Sequence, residues 1–319
     1  MAHEPVTVVI VGWNAAALLP ECLGRLRAQT VAPARVLVID NGSSDDSQAV
    51  VERWPEVEWI GLGRNLGFAA ANNIALERTT TPWVALLNPD AFVAPDWLES
   101  LLRAARRNPE HAAFGSTQRV YGHPDVMDGL GDVMHCTGLV WRRGHGVRMT
   151  VEADTEVFST CAAAALYRTD AVREVGGFDV DFFCYLEDVD LGFRLRLRGY
   201  RAMQVVDAVV EHVGSATTGG RRSDFSVYHG QRNMVWNFAK NMPAALLAAC
   251  FLPHLMVNLA LIVRFSLAGQ FGTVWRAKRD ALAGLPRIWR KRAAIQASRR
   301  LSTRGVWQLL AHGIPTRRG

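Results

Sequence analysis

Four short runs of apolar, largely β-branched residues recur early in this chain, each closed by an amide or carboxylate residue, with room for about one helix between neighbours. Val6 to Val11 ends at Gly12-Trp13-Asn14, and Val36 to Ile39 ends at Asp40-Asn41-Gly42-Ser43-Ser44-Asp45. Val57 to Leu62 leads into Arg64-Asn65-Leu66-Gly67-Phe68, and Trp83 to Leu87 ends at Asn88-Pro89-Asp90. Leu18, Cys22, Leu23 and Leu26 have helical spacing between the first two runs, and a small-residue helix is predicted over Ala69 to Glu77. Ser44 or Asp45 is positioned to cap the helix after the second run. Strands that are apolar throughout and alternate with helices specify a parallel sheet covered on both faces. Such sheets bind ligands beyond the carboxyl ends of their strands. Those ends carry Asn14, Asp40, Asn65 and Asp90, so polar groups gather on one rim.

The pattern loosens from Phe114 to Leu166, where glycines and polar turns allow only short strands to be placed. Order returns at Glu174-Val175-Gly176-Gly177-Phe178-Asp179, then over Phe182 to Asp190. A helix follows through Leu191, Leu195 and Leu197, with Asp190 as its candidate cap. Strand Ala202 to Val206 comes next, with His212 just beyond it. A mobile loop is expected from Gly214 to Asp224, before Tyr228-His229-Gly230-Gln231-Arg232-Asn233. Ala244 to Val263 is strongly apolar, yet Pro253, His254 and Asn258 keep it from reading as a clean membrane-spanning helix.

At 319 residues the chain can bury a full core, and 49% apolar against 21% charged residues excludes disordered, collagen-like and disulfide-scaffold classes. Five scattered cysteines, without a CxxC pair or a nearby histidine at metal-ligand spacing, read as reduced thiols in a cytosolic protein. The first fourteen residues have no basic region before their apolar run, so that run is expected to be a buried strand and not a signal peptide.

Asp40-Asn41-Gly42-Ser43-Ser44-Asp45, Asn65-Leu66-Gly67-Phe68-Ala69, Asn88-Pro89-Asp90, Gly176-Gly177-Phe178-Asp179 and Tyr185-Leu186-Glu187-Asp188-Val189-Asp190 resemble, in order, the signature of family 2 glycosyltransferases. More narrowly they resemble the bacterial rhamnosyltransferase branch that uses dTDP-rhamnose. The likeness runs from about Val6 to Phe238 and implies an α/β GT-A fold: a mostly parallel twisted sheet with flanking helices, a nucleotide-sugar donor, a divalent cation (Mg²⁺ or Mn²⁺) and inversion at the anomeric carbon.

By the same resemblance Asp40 binds the base or ribose, and Asn14, Asn65, Gly67 and Asn88 line the nucleotide site. Asp90 holds the cation, helped by His212. Asn88 stands where the first acid of the family's metal motif usually lies, leaving Asp90 as its sole carboxylate. Glu187-Asp188 matches the motif that supplies the catalytic base, with Asp188 as the base itself. Arg232 is the candidate to neutralise the leaving diphosphate, since a guanidinium fork fits phosphate oxygens.

Residues 1–243 are thus expected to form the catalytic domain and 244–319 an apolar, then basic, helical extension. From Arg264 onward thirteen Lys and Arg face the single acid Asp280, inside a chain of net charge +6. Trp275 and Trp289 are interleaved with these cations, which suits a membrane interface. The expected partners are a nucleotide-sugar donor, best matched by dTDP-rhamnose, a polyprenyl-linked or cell-surface glycan acceptor, and the cytoplasmic face of the inner membrane. A homo-oligomer interface is the other use of the tail. No nucleic-acid-binding motif is present. Nucleotidyltransferases need a glycine-rich basic phosphate loop after the first strand, and dehydrogenases a GxGxxG; Gly12-Trp13-Asn14-Ala15 is neither. A UDP-hexose donor and a catalytically dead membrane scaffold stay open as alternatives.

Overall fold

The computed structural model describes residues 5–214 and 223–313. Apart from its ends, the loop expected between Gly214 and Asp224 lies outside the described residues. In chain order come β1 (Val6–Gly12), α1 (Leu19–Arg27), β2 (Arg35–Asp40), α2 (Ser47–Val51), β3 (Val57–Gly61), α3 (Phe68–Arg78), β4 (Trp83–Leu87), β5 (Ala91–Val93) and α4 (Trp97–Arg107). β6 (His111–Val120), β7 (His123–Gly129), β8 (Asp132–Met134), β9 (Val140–Arg142), β10 (Thr155–Glu156) and β11 (Ala164–Arg168) follow. The chain continues through α5 (Thr169–Glu174), a 3-10 turn (Val180–Phe182), α6 (Glu187–Leu197), β12 (Arg201–His212), α7 (Asp224–Asn241), α8 (Ala244–Leu267), α9 (Phe271–Ala297) and α10 (Thr303–Leu309).

The main sheet has the order β10-β12-β6-β11-β4-β1-β2-β3. β3, β2, β1 and β4 are parallel, β11 runs antiparallel between β4 and β6, and β6 and β12 are parallel to each other. Six of its long strands therefore share one direction. Period-two side chains split the core: Val6, Val8 and Ile10 pack beneath α1 and α4, whereas Val9, Leu37 and Ile39 pack under α3 and α6.

Three readings need correction. β6 is a ten-residue strand that starts at His111 and runs into the stretch, Phe114 to Leu166, expected to hold only short ones. Its buried Ser116, Thr117 and Gln118 break the apolar run, but Ser116 is bonded to Trp97 and the Ala164 carbonyl, and Thr117 to the Val205 carbonyl. β12 continues past Val206 across a bulge, so His212 is its last residue and not a loop residue beyond it. Asp190 does not cap α6. It is fully buried, bonded to Arg194 at 2.8 Å and Lys240 at 2.6 Å, and Lys240 also reaches Asp179. Asp179 of the Gly-Gly-Phe-Asp segment instead caps the 3-10 turn through the Asp181 N–H.

The C-terminal helices fold against the rest of the chain. Met242, Leu246, Cys250, Val306 and Leu310 share one apolar cluster with Met134, Phe158, Val189 and Phe193. The polar residues that interrupted the Ala244 to Val263 pattern face inward. His254 stacks on Phe238 at 3.9 Å and bonds the Thr137 carbonyl, while Asn258 accepts from Lys278 at 2.6 Å. The opposite face of α8 exposes Leu252, Met256, Leu259, Val263 and Leu267. α8 is long and apolar enough to cross a membrane by composition, but it lies with one face against the protein.

Candidate active site

A cavity of about 1370 Å³ opens at the carboxyl ends of β1, β2 and β4. One wall comes from Gly12, Trp13, Asn41, Asn65 and Gly67, the middle from Asn88, Asp90 and His212, and another wall from β9, Tyr185 to Val189 and Phe225.

The first wall is backbone held in place by short polar side chains. The Asn41 amide donates to Asn65 Oδ1 at 3.0 Å and accepts from the Leu66 N–H, while Asn65 Oδ1 also accepts from the Gly67 N–H. Asp40 and Asn14 stand one step back and do not line the cavity. The Asp40 carboxylate accepts from the Ser43 N–H, and Asn14 Oδ1 from the Ser44 N–H at 2.8 Å. Asp45 rather than Ser44 serves the next helix, accepting from the Ser47 N–H. Gly42 has φ +80°, and a Cβ there would sit 2.6 Å from Arg64 backbone, so only glycine allows these two loops to touch.

In the middle, Asp90 is buried with its Oδ1 3.3 Å from His212 Nε2. His212 Nδ1 lies 2.8 Å from Asp128, which also binds Arg142 at 2.6 Å. Burial works against a charged His212, but Asp128 and Asp90 raise its pKa above the ordinary value. Burial likewise opposes the charge on Asp128, yet His145, His212 and Arg142 hold its pKa well below the usual carboxylate range. One carboxylate and one imidazole oriented by a further carboxylate fit a hard divalent cation that completes its shell with phosphate oxygens. His212 Nε2 faces Asp90 Oδ1, so a cation held between them would take the place of the Nε2 proton. No cluster of three or more candidate metal ligands occurs among the described residues, so a cation held here would draw its other oxygens from substrate and water.

At the other wall the chain is strained. Phe183, Tyr185 and Leu186 have φ of 65°, 64° and 65°, a left-handed conformation costly for side chains of this size. α7 holds the strain in place. The Asn233 amide donates to the Phe182, Cys184 and Tyr185 carbonyls, and Arg232 Nη2 to the Asp181 and Phe182 carbonyls. Arg232 also lies over Trp236, 4.4 Å from the ring. Its guanidinium is occupied there and does not line the cavity, contrary to the diphosphate-binding place expected for it. Gly67 joins the two walls: with φ +86°, a Cβ on it would come within 2.5 Å of the Phe183 ring.

The strained run delivers Glu187 and Asp188 to the start of α6. Asp188 accepts from the Ala162 N–H at 3.2 Å and the Val189 N–H at 2.8 Å, whereas Glu187 Oε2 is buried without a hydrogen bond. Burial and the neighbouring Asp188 push the Glu187 carboxyl well up; burial also raises Asp188, against the Ala162 N–H and the Arg142 charge. Of the two, Glu187 is pushed further toward its neutral form, while the Ala162 and Val189 N–H groups and the Arg142 charge favour the ionised form of Asp188. Two buried carboxylates of unlike environment divide into a neutral group and a base.

Asp128, Asp132, Trp141 and Arg142 belong to this site, although the sequence reading assigned them nothing. They lie in the irregular stretch between β6 and β11, where no periodicity or motif marks them. All five cysteines are free, and burial pushes the Cys161 thiol in the cavity wall up to about 12.

The model of the family described as "Glycosyl transferase family 2" matches residues 7–176. N-acetylglucosaminyl-diphospho-decaprenol L-rhamnosyltransferase of Mycobacterium tuberculosis is 33% identical over 240 residues, covering 68% of this chain and 78% of that protein. O-antigen biosynthesis protein RfbC of Myxococcus xanthus is 28% identical over 232 residues, 69% of this chain but 18% of its own length. Among solved structures, the mannosyltransferase PcManGT of Pyrobaculum calidifontis, in complex with GDP-Man and Mn²⁺, superposes with a TM-score of 0.55 at 20% identity over 97% of this chain and 88% of its own. A strand-end cavity of this construction, on a sheet shared with such enzymes and under a family match spanning more than half of the chain, makes this protein a GT-A glycosyltransferase belonging to glycosyl transferase family 2.

Proposed function

We propose that this glycosyltransferase moves L-rhamnose from dTDP-rhamnose, with inversion, onto a sugar carried on a lipid diphosphate at the cytoplasmic face of the membrane. The observation that carries the reading is Asp188: a carboxylate in the cavity wall, bonded by the Ala162 and Val189 N–H groups, with Asp90 and His212 in the same cavity. Asp188 takes the proton of the acceptor hydroxyl as that oxygen bonds to the anomeric carbon. The bond from that carbon to the diphosphate oxygen breaks on the opposite face, and its electron pair leaves with the nucleotide. Asp90 and His212 would hold the divalent cation, which supplies positive charge to the departing diphosphate. Asn41, Asn65, Gly67 and Asn88 receive the nucleotide, with Asn14 and Asp40 fixing the loops behind them. The choice of rhamnose is supported by Asn88 in place of an acid and by the rhamnosyltransferase named above.

The test is a nucleotide-sugar panel followed by thermal unfolding, since a bound donor stabilises by mass action. dTDP-rhamnose should give the largest upward shift with Mg²⁺ or Mn²⁺ and lose most of it in EDTA. A larger shift with a UDP-hexose overturns the donor assignment. Asp90→Ala should abolish the cation-dependent part alone; equal losses with and without EDTA would make Asp90 structural.

The extension supports a peripheral membrane location. α8 packs on α9, whose exposed Trp275, Leu282 and Trp289 repeat at seven-residue intervals beside exposed Arg276, Arg279 and Arg290. Apolar surface flanked by tryptophan and cations matches an anionic bilayer interface. Sedimentation with anionic vesicles should fall as salt rises and be lost in Met256→Glu/Leu259→Glu, which alters exposed positions. Removal of everything after Met242 is a poorer test, because Met242 is fully buried and its cluster includes α8 and α10. A folded, donor-competent chain that ignores such vesicles at low salt would make the tail an oligomer interface.

A further inference from the structure

The reaction as read above involves two diphosphates. One departs with the donor nucleotide, beside Asp90 and His212. The other stays in the acceptor, between its sugar and its lipid, and nothing described so far receives it.

Two guanidinium groups line the cavity among the described residues, those of Arg142 and Arg264. Arg142 is paired with Asp128 at 2.6 Å. Arg264 is exposed and makes no ion pair among the described residues. At 100° per residue it falls between the inward row of Cys250, His254 and Asn258 and the outer row of Met256, Leu259 and Val263. The outer row of the same helix is the apolar surface that ends at Val263 and Leu267. Arg264 therefore stands where one helix turns its inner side to the cavity and its outer side to the surface.

Its position along the cavity follows from two contacts. Gln270 donates to Asp224 at 2.8 Å, tying the turn after α8 to the first turn of α7, which supplies Phe225 and Ser226 to the cavity. The turn between β8 and β9 packs on α8, with Gly138 against His254, and the next residue, Leu139, also lines the cavity. Arg264 thus belongs to the wall shared with Leu139 and Phe225, away from the strand ends that carry Asn41 and Asn65.

We infer that Arg264 receives the diphosphate of the lipid-linked acceptor, with the outer face of α8 seated in the anionic bilayer from which the lipid chain extends. This rests on the acceptor reading above. A planar fork of donors on an otherwise apolar helix end suits a diphosphate at headgroup depth. Long cationic side chains reach that depth while their stems stay in apolar surroundings.

The same diphosphate chemistry occurs in the donor, and single phosphates occur in lipid headgroups, so the test uses full-length protein and four readouts. These are transfer to farnesyl-diphosphate-N-acetylglucosamine in phosphatidylglycerol-containing vesicles, transfer to octyl N-acetylglucosaminide, hydrolysis of the donor without acceptor, and sedimentation with the same vesicles. Arg264→Gln should raise KM for the diphosphate acceptor about tenfold or more, as loss of a charged hydrogen bond predicts. It should leave the other three readouts unchanged, and Arg264→Lys should recover part of the affinity. Equal losses on both acceptors, a fall in donor hydrolysis, or lost sedimentation would each overturn the inference. So would normal transfer to the diphosphate acceptor by Arg264→Gln. If the unmodified enzyme hydrolyses donor yet never transfers to the diphosphate acceptor, the acceptor reading itself fails, and the inference with it.

Discussion

The two walls of the cavity are built on different principles. The wall beside β1, β2 and β3 is made from loops that leave consecutive parallel strands, and its polar residues, Asn41 and Asn65, join the loops after neighbouring strands β2 and β3. The wall that carries Asp188 is assembled from β9, the strained Phe183 to Leu186 run, α7 and α8, segments far apart in the chain. A wall of the first kind follows from strand order and short-range hydrogen bonds. A wall of the second kind exists only once the whole molecule has folded, and substitutions remote from it in sequence should disturb it.

Asp188→Asn is the sharpest way to separate the walls. It should lower turnover by about 10²- to 10⁴-fold, the usual worth of a general base, while donor binding read by thermal shift stays intact. Near-normal turnover would remove Asp188 from the role and the chemistry from that wall. Asn233→Ala should come next, because it strips donors from three carbonyls of the strained run and leaves buried acceptors unpaired, at about 1–3 kcal/mol. Turnover should fall at least as steeply as stability, with donor affinity retained. An equal effect on donor affinity would mean that the walls are not independent.

Gly67→Ala tests the one place where they touch. Its Cβ would meet the Phe183 ring, so this single methyl should damage both donor affinity and turnover, with strain of about 1–3 kcal/mol. Loss of donor affinity alone would show that the contact transmits nothing. The smallest effect is expected from Arg142→Gln, read as a pH profile. The Arg142 charge lowers the pKa of Asp188, so its removal raises that pKa. The ionised base is then lost at a higher pH, and the acid limb of kcat should move upward while the plateau changes little. An unmoved limb would mean that Arg142 acts only through Asp128.

The same contrast explains what could be read from the chain. β1 to β4 and their helices were legible because period and turn chemistry are local signals, and Asn65, Gly67, Asn88, Asp90, Glu187, Asp188 and His212 all lie in the cavity wall. Asp40 and Asn14 fell just behind it, since sequence marks the loop but not which way a side chain turns. Arg232 and Asp190 were misplaced because their partners, the Phe182 carbonyl and Lys240, lie about fifty residues away. β6 was hidden by buried hydroxyls and an amide that only the finished sheet can pair. Arg142 and Asp128 had no signal, because a charge in an irregular stretch ordinarily belongs to solvent.

The inward polar row of α8 has a practical consequence. His254 is bonded to the Thr137 carbonyl, Asn258 to Lys278 of α9, and Lys278 in turn to the Gln231 carbonyl of α7, and burial lowers the Lys278 pKa to about 7. Transfer of α8 into hydrocarbon would leave these groups without partners, at several kcal/mol each. The helix is therefore tethered to its own protein more firmly than to any lipid. On the peripheral location proposed above, the enzyme should be released from membranes by concentrated salt, without detergent, and should keep its donor-binding activity in free solution.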